Sequence, residues 1–421
     1  MTVRWITPLL GTVSATKMDD ISGATIIDVR DFVDRAGNPP EAIRPKIMAG
    51  VQALREGRKT IICCDHGISR SNAFAAGILA VSDEISLGEA VRRVVEATGE
   101  SEMRPDVVAA VQLALATPAS ERPRSEKKER WLLTGANGSL GGLIRRTAPT
   151  DVELVAPDRN ELDLLSGSVF LSLFAEANEI TRILHFASPR IGNTNRAMGQ
   201  AVTMLRTALE TAGNLNVPIL VPSRWEVFAG YTGETLSVTE EKQTRPHGIL
   251  GETKFLCESL ALEWAAQGRA AVTILRSGLV FGDGIAPHFI RTFIRKSHSG
   301  EPVLTHVYEN GSPELDLIAS VDWVSAFWGL AKSDLTGLFQ AGGDALFSTR
   351  QIAEITLLGA GRGCQTEELP VQGKIANIRL DFAKLRQTTG WSPSQPTAEA
   401  LTRFLQTLPQ DRAQSLQKGR Q

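Results

Sequence analysis

The chain has 421 residues, which at roughly 150 residues per domain predicts two or three domains. Its net charge of −2, with 42% apolar and 22% charged residues, excludes a general basic field for nucleic acid or membrane surfaces and excludes wholesale disorder. No stretch approaches about 18 uninterrupted apolar residues, so no membrane span is expected. The start, MTVRWITPLLGTV, holds one arginine and an apolar run broken by Pro8, and reads as mature cytoplasmic sequence rather than a signal peptide. The cysteines are Cys63, Cys64, Cys257 and Cys364, too few to staple the chain, and no Cys/His spacing fits zinc, so no metal is expected. A reducing compartment follows. Tyrosine is confined to Tyr231 and Tyr308.

In chain order, TIIDV (25–29) reads as a strand, 41–56 as a helix with apolar positions at helical spacing, and KTIICC (59–64) as a buried strand. Helices follow at 70–81, at 86–97 behind a Ser86/Glu89 capping box, and at 105–116. Residues 117–130, TPASERPRSEKKER, read as a solvated linker. Beyond it, strands at 131–134, 152–156, 182–187, 217–221 and 272–276 alternate with helices at 139–147, 168–178, 195–213 and 248–267, which implies an α/β architecture built on a mostly parallel sheet. The expected layout is a domain at 1–116, a second at 131–408 and a frayed polar tail at 409–421. The tryptophans Trp225, Trp264, Trp323, Trp328 and Trp391 read as core or pocket-wall residues.

The first chemical constellation is Cys64-Asp65-His66-Gly67-Ile68-Ser69-Arg70-Ser71, where a strand ends at a cysteine and a helix starts at an arginine. A loop wrapped onto a helix N-terminus turns successive backbone N–H groups inward, so residues Asp65 to Arg70 can form a nest for a tetrahedral anion. The helix dipole favours the thiolate form of a cysteine placed there. Gly67 permits the backbone angles such a loop needs, Arg70 offers a planar fork to two phosphoryl oxygens, and Ser71 can hydrogen-bond the sulfur. His66 reads as solvent-facing.

This package resembles the cysteine-dependent protein tyrosine phosphatases, the compact dual-specificity branch in particular, over about residues 4–116. Cys64, Gly67, Arg70 and Ser71 match the family pattern, and Cys63 stands where the family has histidine. That substitution leaves room for a Cys63–Cys64 bond or sulfenyl chemistry. The resemblance implies a Cys64 nucleophile and an aspartic general acid on a loop upstream. Asp34, opening the Pro/Gly loop DRAGNPPE, is favoured, with Asp31 second and Asp28, at a strand end, third.

The second constellation is WLLTGANGSLGGL (131–143), a strand running into Gly135, Gly138 and Gly141 and then a helix. The first glycine serves a tight turn, the second a close approach to a pyrophosphate, and the third the packing of helix on strand. Asn137, Ser139 and Leu140 complete the turn. Asp158, 23 residues after Gly135, can accept from ribose hydroxyls and so favours NAD, while Arg159 beside it leaves NADP open.

From about 130 to 405 the chain is similar to the extended short-chain dehydrogenase/reductases of the nucleotide-sugar epimerase/dehydratase group. TGANGSLGG, Asp163-Leu164, His185-Phe186-Ala187-Ser188, Glu226-Val227-Phe228 and Val321-Asp322-Trp323-Val324 match its landmarks in order. The resemblance implies a Rossmann-type doubly wound sheet with a smaller C-terminal substrate-binding part. It also implies adenine contact by Asp163 and Leu164, cofactor contact by Phe186, Ala187 and Ser188, and a homodimer formed through helices. The family works with Tyr-x-x-x-Lys, whose four-residue spacing puts phenol and ammonium on one helix face. Here Lys254 is present, but Leu250 replaces the tyrosine and Arg224 the family's Ser/Thr, with Ser223 one place off. Tyr231, Tyr308 or His247 would have to supply a replacement acid/base, whereas Lys254 can hold the nicotinamide ribose without one. The expected function is therefore a phosphomonoester phosphatase joined to an NAD(P)-binding epimerase/dehydratase-like domain, acting on a phosphorylated sugar, nucleotide-sugar or related metabolite. The alternatives are an NAD-sensing or scaffold protein with a silent dehydrogenase half, or an atypical oxidoreductase with an inactive phosphatase domain.

Overall fold

The computed structural model describes residues 3–17, 23–35, 37–115, 128–189, 194–360 and 365–407. Most of the predicted linker, the predicted tail and Cys364 lie outside the described residues. The chain divides into two compact units, one of residues 1–130, 159–181 and 207–217, the other of 131–158, 182–206 and 218–421. Among the described residues no helix is long and apolar enough to cross a membrane, and no group of three or more His, Cys, Asp or Glu side chains could hold a metal ion.

The first unit is built on β1 (Arg4–Trp5), β2 (Leu10–Ser14), β3 (Thr25–Asp28) and β4 (Thr60–Cys64), in the order β1-β2-β4-β3. β4 lies between β2 and β3, parallel to both, and every residue of it is buried. Its alternation puts Ile62 and Cys64 on the face covered by α1 (Pro40–Arg55), α2 (Arg70–Ser82) and α4 (Pro105–Leu115), and Ile61 and Cys63 on the other. The two thiols therefore point to opposite faces and are free, so the Cys63–Cys64 bond that the sequence leaves room for does not form in this strand. Burial also pushes the Cys63 thiol up. α2 is apolar around its whole circumference because it crosses the middle of this unit, with Phe74, Ile78 and Leu79 at most 1% exposed. α3 (Leu87–Thr98) starts at Ser86, whose side chain accepts from the Glu89 N–H, and ends at left-handed Gly99. β1 and β2 were not expected from the sequence: Pro8 interrupts the apolar run, and only the pairing of Ser14 opposite Cys64 makes a strand of LGTVS. α6 (Ser168–Ala177) adds Val169 to the same core.

The second unit contains β5 (Glu129–Thr134), α5 (Ser139–Arg146), β6 (Val152–Val155), β7 (Arg182–His185), β8 (Ile219–Arg224), β9 (Thr235–Val238), α8 (Gly248–Ala266) and β10 (Val272–Ser277), while α7 spans Asn195–Leu215. Its main sheet runs Gly337–Ala341, β10, β8, β7, β5, β6. The pairs β5·β7, β7·β8, β8·β10 and β10 with Gly337–Ala341 are parallel. The chain goes outward from β5 to β6 and then returns to β7 on the other side, which places the topological switch point between β5 and β7. Trp131, Leu133, Leu184, Leu220 and Leu275 from the sheet pack with Trp323, Phe327 and Trp328 of the helix Ser320–Ala331. Trp264 and Trp391 are buried as well, so four of the five tryptophans named above are core residues.

Asp316, 4% exposed, clamps three segments of this unit: one carboxyl oxygen accepts from Gly343 N–H at 2.7 Å and the other from Leu380 N–H at 2.8 Å. Burial nevertheless pushes its carboxyl up to about 7. The folded protein thus holds this proton more tightly than the unfolded chain. The contribution is fully present below an unfolded value of about 4 and is lost as pH rises through about 7. Asp316→Asn removes that loss. The melting temperature of the variant minus that of the wild type is expected to shift in the variant's favour from about pH 4.5 to about pH 8, as read by thermal unfolding.

Candidate functional sites

In the first unit the strand-to-helix turn after β4 gathers most of the residues singled out in the sequence. Cys64 Sγ, 2% exposed, accepts the Gly67 N–H at 3.1 Å and lies 3.3 Å from Ser71 Oγ. Gly67 has φ +70°, and a Cβ there would stand 2.7 Å from Ser14 N, so only glycine fits. Ser14 Oγ donates to Asp65 O at 2.6 Å and Arg4 Nη2 donates to Gly67 O at 2.8 Å. These two bonds hold the carbonyls of Asp65 and Gly67, while the Gly67 N–H faces the sulfur. Arg4 and Ser14 were missed by the sequence reading, because they lie on the two strands it did not expect and no motif marks them.

Arg70, 8% exposed, opens α2. Its Nη1 donates to Phe32 O at 2.7 Å and to Arg30 O at 3.3 Å, while Nη2 pairs with Asp65. Ile68 is half-buried and His66 is exposed. Of the three aspartates, Asp34 is the one joined to this turn: Ser69 Oγ donates to its Oδ1 at 2.7 Å and itself accepts the Arg104 N–H at 3.0 Å. Asp31 is paired with Lys46 at 3.2 Å, and Asp28 with Arg30, which holds the Asp28 carboxyl below the usual range. The loop bearing Asp34 is braced by Asn38, whose amide bonds both the N–H and the carbonyl of Val33 at 2.9 and 2.7 Å.

In the second unit, β5 ends in the glycine turn. Gly135 has φ +73°, and a Cβ on it would lie 2.5 Å from the Phe186 carbonyl carbon. A Cβ on Gly141 would lie 2.2 Å from Gly135 O, so the third glycine seats α5 against the turn. Gly138 caps α5, and Asn137, Gly138 and Ser139 are exposed at its start, with Leu140 half-buried behind them. Asp158 is exposed after β6. In the first unit, Arg159 pairs with Asp163 at 3.5 Å, Asp163 caps a short 3₁₀ turn through Leu165 N–H, and Leu164 is buried.

Beside the switch point, a cavity is lined by His185, Phe186, Ala187 and Ser188 from the end of β7, Ser223 from β8, and Leu250, Lys254, Cys257 and Glu258 from α8. Burial presses the Lys254 ammonium down and the Cys257 thiol up. His185 is pushed down to about 3, so it is neutral. Thr134 Oγ1 takes the Ala187 N–H at 3.2 Å and faces His185 Nδ1 at 3.1 Å, which fixes the orientation of the ring. Glu258 is occupied by a buried two-point pair with Arg276 at 2.5 and 3.0 Å. Ser223 Oγ is buried without a hydrogen-bond partner among the described residues. Arg224 pairs with Glu226 at 2.6 Å. No tyrosine lines the cavity: the Tyr231 hydroxyl donates to Gln243 O at 2.8 Å, and Tyr308 sits in a bridge with Gly311. His247 is an exposed residue ahead of α8 and does not line it either.

Sheet order, glycine turn and lined cavity define a dinucleotide-binding Rossmann class for the second unit. Residues 131–339 match the model of the NAD dependent epimerase/dehydratase family. The C-terminal part of the chain thus carries an epimerase/dehydratase-type domain. Among solved structures, dTDP-glucose 4,6-dehydratase from Bacillus anthracis in complex with NAD is similar, at 17% identity over 66% of this chain and 96% of that one, with a TM-score of 0.57. So are UDP-glucose 4-epimerase from Thermus thermophilus in complex with NAD (18%, 66% and 97%, 0.57) and dTDP-4-dehydrorhamnose reductase from Bacillus anthracis in complex with NADP (19%, 66% and 98%, 0.56). At these identities the likeness is one of fold. No curated protein sequence matches the chain.

Proposed function

We propose that the epimerase/dehydratase-type domain binds NAD, with NADP as the alternative, together with a nucleotide-sugar or related ligand. Gly135 carries this reading: its turn has no room for a Cβ, and the bare backbone leads straight into the start of α5, where a pyrophosphate is favoured. Asn137 to Gly141 would hold the pyrophosphate, Phe186 to Ser188 the middle of the cofactor, and Lys254 the nicotinamide ribose. When bound, a nicotinamide supplies hydride exchange. Leu250 has no proton to exchange and Arg224 is committed to Glu226, so the chain's own residues favour holding the cofactor over turning it. Calorimetric titration of the whole chain with NAD⁺ and NADP⁺ tests the binding. Nicotinamide absorbance across a sugar-nucleotide panel should then stay flat, whereas failure of both dinucleotides to bind rejects the reading. A second copy covering the exposed Phe255, Leu256 and Leu262 of α8 would form the homodimer.

The first unit supports a second activity, a cysteine-dependent phosphomonoester phosphatase. Its support is the joint placement of Cys64 Sγ, Gly67 N–H, Ser71 and Arg70 on one turn. Cys64 sulfur attacks phosphorus, and the P–O bond to the leaving group breaks. Asp34 gives that oxygen its proton, and water then cleaves the P–S bond to release phosphate. Ser69 donates to Oδ1, which leaves Oδ2 as the oxygen to act as the acid. Asp34→Asn should therefore lower kcat on an alkyl phosphate about 10²-fold, and p-nitrophenyl phosphate, with its good leaving group, far less. Asp31→Asn should change neither, since Lys46 holds that carboxylate. Equal effects of both substitutions in steady-state assays would remove Asp34 from the role.

A further inference from the structure

Taking the turn after β4 as an oxyanion site, we propose that Asp65 is its specificity-determining residue, a carboxylate that competes with the incoming phosphoryl group for Arg70 and selects against esters carrying further negative charge. The arrangement of Arg70 points to this. A guanidinium presents two two-donor edges, and here Nη1 is spent on the backbone of the Asp34 loop, at Phe32 O and Arg30 O. The edge left for a phosphoryl group is Nε with Nη2, and Asp65 sits on Nη2. An oxyanion using both donors shares Nη2 with that carboxylate or displaces it.

Asp65 is also the residue directly after Cys64, so a negative charge stands beside a site that has to admit a dianion. Arg70 holds the Asp65 carboxyl below its ordinary range, so it is an anion at neutral pH. Of the nearby cations, Arg4 is paired with Glu100, Arg30 with Asp28 and Lys46 with Asp31, and His66 and Arg30 add to the attraction that Arg70 exerts on Asp65. The side chain is 53% exposed, so it can swing aside into water. The backbone of Asp65 is held separately, by Ser14 Oγ on its carbonyl, so the loop shape does not rest on the carboxylate.

The test uses the full chain with tungstate as oxyanion probe, and phenyl phosphate against 4-carboxyphenyl phosphate as substrates. Asp65→Asn should bind tungstate about two- to fivefold more tightly than wild type, as expected for one exposed ion pair. Asp65→Glu, which keeps the charge, should stay near wild type. The KM of both esters should fall in Asp65→Asn, more for the carboxylated one, so that the preference for phenyl phosphate shrinks. Equal or weaker tungstate binding by Asp65→Asn, with wild-type binding intact and lost in Arg70→Met, overturns this role and leaves the oxyanion site standing. Tungstate binding by neither protein overturns both.

Discussion

Cys64→Ser is expected to lower kcat on an aryl phosphate by about 10⁴-fold or more, because a serine hydroxyl is a far weaker acid and nucleophile than a thiol. The variant should keep its affinity for tungstate, since the loop amides and Arg70 are untouched. Arg70→Lys should cost about 10²-fold in kcat/KM, through loss of the planar fork and of the two bonds that tie Nη1 to the Asp34 loop. Single-turnover rates and calorimetry separate the two effects. Wild-type turnover by Cys64→Ser would mean that the sulfur is not the nucleophile, whatever the shape of the turn around it.

Gly135→Ala is expected to destabilise the second unit by about 2–4 kcal/mol and to abolish measurable NAD⁺ binding. The residue holds φ +73°, and the added methyl would overlap the Phe186 carbonyl carbon at 2.5 Å and Ala187 N at 2.6 Å, backbone atoms of β7's end that cannot swing away. Gly141→Ala should behave similarly, its methyl meeting Gly135 O at 2.2 Å. Gly199→Ala is the control: it lies in α7 with nothing within 4 Å of a Cβ, and should stabilise slightly by about 0.5–1 kcal/mol. Thermal unfolding with and without NAD⁺ reads all three. A Gly135→Ala protein that melts like wild type and binds NAD⁺ would show that this turn does not hold a dinucleotide.

Where a residue pattern had one local physical cause, the sequence alone was enough. The helices 70–82 and 248–266, the Ser86 cap and the strand–glycine–helix order at 131–146 all follow from apolar period, capping chemistry or glycine spacing. β1 and β2 were lost because a two-residue and a five-residue strand next to Pro8 carry too little period to register. With them went Arg4 and Ser14, which hold two carbonyls of the Cys64 turn. Leu250 was legible as a missing phenol. That Tyr231, Tyr308 and His247 all stay out of the cavity was not, since each was free to return from a loop until its own hydrogen bonds and burial were known.

Composition, period and the two glycine- and cysteine-centred motifs by themselves determined the α/β character, the order of the βα units, and which residues could do chemistry, because these depend on contacts between near neighbours in the chain. Tertiary structure decided which aspartate meets the Cys64 turn, that Asp65 rather than open solvent occupies Arg70, that adjacent Cys63 and Cys64 face opposite ways, and that Asp316 is buried against two backbone amides. Each of those depends on a hydrogen bond, an ion pair or a sheet face, and the partner is chosen by packing across the fold rather than by spacing along the chain.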